Sequence, residues 1–138
     1  MSEIIGVVDS NLRPTIRLRI VRSRVTFPVW IDLGFEGDLV LTSSEAHRLG
    51  AQTTGRFVDV ALGDGSQTQM PLATLAVRMF NRTVNANILV SDDVEPARTA
   101  SGELLGLIGL GLLANSSVLI DLVPQGRIVI TKPIPRTR

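Results

Sequence analysis

The chain has 138 residues, enough for one domain of common size with a sizeable core and too few for a second full domain. Fourteen basic and thirteen acidic side chains leave a net charge of +1, so no global field draws the protein to nucleic acid or to an anionic membrane. Cysteine is absent and His47 is the one histidine, which excludes disulfides, thiolate catalysis, cysteine-ligated metals and a multi-histidine metal site within one chain.

Alternation of apolar and polar residues dominates the chain and predicts β structure throughout. Residues 1–14 form an N-terminal segment, a candidate interface strand. Its start lacks the basic leader and apolar stretch of a signal peptide, so a cytoplasmic protein is expected. In Thr15–Ile20, the residues Ile16, Leu18 and Ile20 line one face while Arg17 and Arg19 line the other. The pattern breaks at Arg22-Ser23-Arg24 and resumes with Val25, Phe27, Val29 and Ile31, which predicts a hairpin whose second strand runs into Asp32. Arg13, Arg17, Arg19, Arg22 and Arg24 make a basic stripe along it. Without tyrosine or a visible stacking platform this is a solvated face, and no nucleic-acid partner is expected.

Asp32 then sits among Trp30, Ile31, Leu33 and Phe35, with Gly34 two residues on. A carboxylate in such company is costly to bury unless paired or hydrogen-bonded, which makes this stretch the candidate functional site. The structural alternative is a turn aspartate capping its own loop. Glu36 and Asp38 add two acids nearby, but beside a turn they are read as solvated, and no metal is expected. Asp38–Leu41 predicts a short strand and Thr42–Gly50 a brief helix, with Thr42 or Ser43 as cap, Glu45 in the first turn and Gly50 at the stop. His47 lies on that helix as a solvated position, which argues against a Ser-His-Asp triad.

Arg56–Leu62 and Gln67–Phe80 are the next two strands, joined through Gly63-Asp64-Gly65-Ser66. The Asp64-Gly65 pair signals a hairpin with a tight primed turn, and the polar, glycine-rich tip is a candidate flap. A turn at Asn81-Arg82 leads into a strand over Thr83–Val90, and Ser91–Gly102 is a polar loop with the composition of a disordered segment. Leu104–Gly106 is expected as a buried strand and Gly109–Asn115 as a helix. The apolar run Leu104–Ala114 is too short to span a bilayer, and no membrane partner is expected. Strands over Val118–Val123 and Arg127–Thr131, joined by Pro124-Gln125-Gly126, precede a C-terminal tail at 132–138. Many short strands with one or two short helices predict an all-β, closed barrel.

This order of features resembles the retropepsin-like aspartic proteases, particularly the bacterial and archaeal single-lobe group. The active-site loop of that group reads Asp-Thr-Gly-Phe where this chain has Asp32-Leu33-Gly34-Phe35. The resemblance runs from about Thr15 to Ile130 and assigns 15–131 to one retropepsin-like domain. It implies a closed acid-protease-like β-barrel with a flap hairpin, acting as a homodimer, because one chain supplies one Asp-x-Gly and the reaction needs two carboxylates. Asp32 of each protomer would be catalytic, with Leu33, Gly34 and Phe35 completing the loop. Gly63, Asp64, Gly65 and Ser66 would form the flap over an extended polypeptide substrate. Gly106 would be the structural glycine packed beside the loop, and neither cofactor nor metal would be needed. Leu33 departs from the pattern, since threonine or serine at that place bonds across the dimer axis. The resemblance therefore implies an aspartic endopeptidase or, as the alternative, a catalytically impaired dimeric peptide-binding module.

Overall fold

In the computed structural model, which describes residues 3–92 and 97–132, the inside-out alternation of the strands is used to close a barrel. The elements in chain order are β1 (Glu3–Val8), β2 (Pro14–Ile20), β3 (Thr26–Ile31), β4 (Leu39–Leu41), α1 (Ser43–Arg48), β5 (Gln52–Ala61), β6 (Gln67–Met79), β7 (Arg82–Val90), β8 (Gly106–Ile108), α2 (Leu110–Leu113), β9 (Ser117–Ile120) and β10 (Arg127–Thr131). Strands β2, β3, β8, β4, β7 and β6 are neighbours in that order, and β6 returns to β2 through Arg19 opposite Arg78 and Ile20 opposite Val77. The result is a closed barrel of six strands. Ile16, Leu18, Phe27, Val29, Leu39, Val77, Ile88 and Ile108 fill it, each almost wholly removed from water. As the alternation predicts, Arg17 and Arg19 stay on the exposed face of β2.

The remaining strands extend this barrel. The N-terminal strand β1 meets β2 at Val7 and Val8 and then runs antiparallel along β10 from Glu3 opposite Thr131 to Val7 opposite Arg127, with β9 beyond. Ile5, Val129 and Leu119 stand in one cross-strand row there, and Ile5 and Leu119 are exposed. On the other side, β5 continues past the barrel as a hairpin with β6, kinked between Thr53 and Phe57 where Gly55 takes a φ of +74°.

Three local features differ from the sequence-based expectation. At the hairpin tip only Gly65 has positive φ (+86°), Gly65 N–H donates to the Leu62 carbonyl at 3.0 Å and Leu62 N–H to that of Ser66 at 2.8 Å. That is a turn closed by a glycine bulge and not a primed two-residue turn. The primed geometry occurs instead between β6 and β7, where Phe80 and Asn81 both have positive φ (51° and 61°), one residue earlier than the expected turn. The third strand of the C-terminal half begins at Gly106, where the expected one ends. Helix α1 follows expectation: the Thr42 hydroxyl accepts from Glu45 N–H at 3.2 Å, and Gly50 terminates it with a φ of +81°. Of the loop expected at Ser91–Gly102, residues 93–96 lie outside the described residues, as do residues 133–138 of the tail. No helix among the described residues is long and apolar enough to cross a membrane.

Candidate active site

Asp32 follows the last residue of β3, and what holds it there is the strand next door. The loop from Asp32 to Asp38 joins β3 to β4, but these are not neighbours: β8 lies between them. It runs parallel to β3, with Val29, Trp30 and Ile31 opposite Gly106, Leu107 and Ile108, and antiparallel to β4, with Leu39 opposite Ile108. The loop therefore straddles the end of β8. Asp32 N–H donates to the Ile108 carbonyl at 2.9 Å, and Phe35 N–H donates back to the Asp32 carbonyl at 3.2 Å. The Asp32 Oδ1 accepts from Gly34 N–H at 3.0 Å. A Cβ at position 34 would lie 3.4 Å from that oxygen, at the edge of ordinary van der Waals contact. Asp32 is half-buried, and the next side chain, Leu33, is 54% exposed. The arrangement is a fixed, hydrogen-bonded carboxylate that still reaches solvent, with an apolar side chain beside it.

The far side of the loop rests on the segment after β8. Gly109 N–H donates to the Asp38 carbonyl at 3.0 Å, Leu110 N–H to that of Phe35 at 2.8 Å and Gly111 N–H to that of Gly37 at 3.0 Å. Side chains would block this contact. A Cβ on Gly109 would fall 2.4 Å from the Phe35 carbonyl oxygen and 2.5 Å from that of Gly37, and one on Gly111 would fall 2.0 Å from Asp38 Oδ1. The Asp38 Oδ2 in turn accepts from Asn87 N–H at 2.9 Å, tying the end of the loop to β7. Gly106 sits one strand length deeper, where a Cβ would meet Leu41 Cδ2 at 2.5 Å and the Val40 carbonyl oxygen at 3.0 Å. It lets β3, β8 and β4 approach one another, while the glycines touching the loop itself are Gly109 and Gly111.

Neither protein-family models nor curated proteins give a match to this chain. Solved structures do. One is the crystal structure of a retropepsin-like aspartic protease from Rickettsia conorii, with a TM-score of 0.66, 20% sequence identity, and an alignment covering 93% of this chain and 89% of that one. The fold is retropepsin-like.

Within this fold the remaining sequence candidates fall into place as follows. Gly63, Asp64, Gly65 and Ser66 form the tip of the β5–β6 hairpin, and their hydrogen bonds run within the tip: Asp64 Oδ1 accepts from Ser66 Oγ at 2.6 Å and Ser66 N–H at 2.9 Å. Those bonds from the Ser66 hydroxyl and amide hold the Asp64 carboxyl below its ordinary range. Glu36 is exposed and Asp38 is engaged with Asn87, and among the described residues no group of three potential ligands has metal-binding geometry. His47 is an exposed position of α1. Part of the basic stripe is paired: Arg17 reaches Glu103 through two bonds of 2.9 Å, while Arg13 holds Asp9 at 2.8 Å and lies 5.6 Å from the Trp30 ring. Gly109 and Gly111 are the site residues that pattern reading missed, and Asp38, expected as a solvated acid, is instead half-buried and bonded to Asn87 N–H. The available signal was glycine recurring inside the apolar run 104–114, where a buried strand and helix would otherwise favour side chains.

Proposed function

We propose that this chain is an aspartic endopeptidase that works as a homodimer, with one Asp32 from each protomer acting on a shared water. The observation that carries this reading is the loop geometry: a half-buried Asp32 held on Gly34 N–H and Ile108, within a retropepsin-like barrel. Two such carboxylates facing one another cannot both ionise cheaply, so one keeps a proton and the other takes one from the water. The ionised Asp32 makes that water nucleophilic. The protonated Asp32 donates to the peptide carbonyl oxygen as the tetrahedral intermediate forms, and the scissile C–N bond breaks as the nitrogen gains a proton. The substrate is an extended polypeptide, paired along its backbone beneath the β5–β6 hairpin, which serves as the flap that excludes water.

Leu33 supports a second reading, a dimeric peptide-binding module with impaired chemistry. Its side chain is 54% exposed, carries no hydroxyl, and stands where a retropepsin-like dimer would place a cross-axis hydrogen bond. One experiment separates the two. The purified protein is incubated with a diverse peptide library at acid pH beside Asp32→Asn, with the mass of each measured by sedimentation. Cleavage by a dimer that disappears in Asp32→Asn is the expected result. Cleavage that survives in Asp32→Asn, or that comes from a monomer, overturns the mechanism; a dimer that binds peptides without cutting them selects the second reading.

A further inference from the structure

The turn before β3, the end of α1 and the middle of β6 enclose a cavity of about 520 Å³. It lies at the opposite end of β3 from Asp32, and the six residues of that strand, at about 3.3 Å each, separate the two by roughly 20 Å. Its floor is apolar, made of the buried Ile20, Leu49 and Leu75. Its rim carries Arg22, Arg48, Gln52 and Asn85, and no carboxylate lines it.

The charges at this rim are unevenly satisfied. Glu45 grips Arg48 through two bonds, Nε to Oε2 at 3.0 Å and Nη2 to Oε1 at 2.5 Å, which fixes the guanidinium, offsets most of its charge and leaves Nη1 as its donor toward a ligand. The three ion pairs among the described residues engage Arg13, Arg17 and Arg48, leaving Arg22 with no carboxylate partner. Arg19 and Arg78, directly opposite each other on β2 and β6, add positive charge to the same end of the barrel. A cavity of this size falls in the range that holds small organic ligands, and an apolar floor with a cationic rim specifies their chemistry. We propose that this cavity binds an amphipathic organic anion, with a carboxylate or phosphate head on Arg22 and Arg48 and an apolar chain on Ile20, Leu49 and Leu75. The unpaired guanidinium fork of Arg22 matches both head groups, and Nη1 of Arg48 with the amides of Gln52 and Asn85 supplies further donors. This site is independent of the peptidase reading. It touches the pair Gln52 and Thr74, where the β5–β6 hairpin leaves the barrel, so an occupant would brace the root of that hairpin.

The test is a titration of the full chain with octanoate, octyl phosphate, octanol and inorganic phosphate, followed by amide chemical shifts. The expected result is saturable shifts confined to 20–25, 48–52, 74–76 and Asn85 with one or both amphipathic anions. The tighter of the two identifies the head group as carboxylate or phosphate. Octanol and inorganic phosphate should bind at least about tenfold more weakly, and Arg22→Ala should weaken the anion by about tenfold while the rest of the spectrum stays in place. Octanol binding as well as the anions, Arg22→Ala leaving affinity unchanged, shifts spread over other surfaces, or no saturation by either anion at millimolar concentration would each overturn the proposal.

Discussion

Replacing Gly109 by alanine tests the physical account of how the Asp32 loop is held. The new Cβ would stand 2.4 Å from the Phe35 carbonyl oxygen and 2.5 Å from that of Gly37, and both are backbone atoms that no rotamer change can move aside. Reaching an ordinary carbon–oxygen separation requires the loop to retreat by about 1 Å. The bonds it makes to Leu110 and Gly111 N–H, at 2.8 and 3.0 Å, would then pass out of hydrogen-bonding range. Overpacking of this kind costs about 1–3 kcal/mol and each lost bond about 1 kcal/mol, so the expected destabilisation is about 3 kcal/mol. In a urea titration at fixed protein concentration, followed by Trp30 fluorescence, that corresponds to a midpoint lower by about 1.5 M if the slope is near 2 kcal/mol/M. Gly63→Ala is the control. No atom lies within 4 Å of its added Cβ, so its stability should stay within about 0.5 kcal/mol of the parent. A Gly109→Ala midpoint indistinguishable from that of Gly63→Ala would refute the claim that this glycine is required by crowding.

Under the proposed homodimeric peptidase reading, Leu33→Thr would place a hydroxyl at the axis of that dimer, and a bond of about 1.4 kcal/mol gained in the transition state corresponds to about a tenfold rise in kcat/KM for peptide cleavage. A fall in activity would instead show that Leu33 itself holds the two loops together. Stability should also fall with acid. Burial acts to raise the Asp9 carboxyl, but hydrogen bonds from the Arg13 backbone and guanidinium outweigh it and hold Asp9 low. The Arg17 guanidinium does the same for Glu103. Both groups bind protons more tightly when unfolded, so their contribution is complete above about pH 5 and is lost as pH drops through their depressed folded values. Glu103→Gln should cost no more than about 1 kcal/mol at neutral pH, because the pair is largely exposed, and this gap to the parent should close as pH falls through the depressed folded value of Glu103. A gap that persists unchanged into acid would show that the ion pair is not its source.

Much of the barrel was legible because its strands alternate. Ile16, Leu18 and Val77 are buried between more exposed neighbours, and a period of two survives into the sequence wherever one face is wet; on β3 it survives in the side-chain types, although Pro28 between Phe27 and Val29 is buried too. The N-terminal strand was legible only as a segment, since Ile5 and Val7 occupy its exposed face and leave Glu3–Val8 without a clean polar side. Turn chemistry was harder still. Asp64-Gly65 carries the stronger primed-turn signature, yet that geometry falls on Phe80-Asn81, where pairing of Met79 with Arg82 dictates a two-residue connection. At the site, Asp32 and Gly34 announce themselves through local chemistry. Gly109 and Gly111 do not, because what selects them is contact between segments remote in the chain, and steric exclusion leaves no periodic trace.

The position of β8 between β3 and β4 has a consequence for the order in which the protein matures. During synthesis Asp32 emerges early, but the strand it bonds to and the glycines beneath its loop belong to residues 106–111. Until that segment threads between its two neighbours, β3 and β4 lack the strand that both pair with, and the loop has no floor. Non-local pairings of this sort close late and slowly. A growing or truncated chain that stops short of β8 therefore carries the aspartate without the means to aim it, and the site forms only in a chain whose residues 106–111 have been made and have folded home.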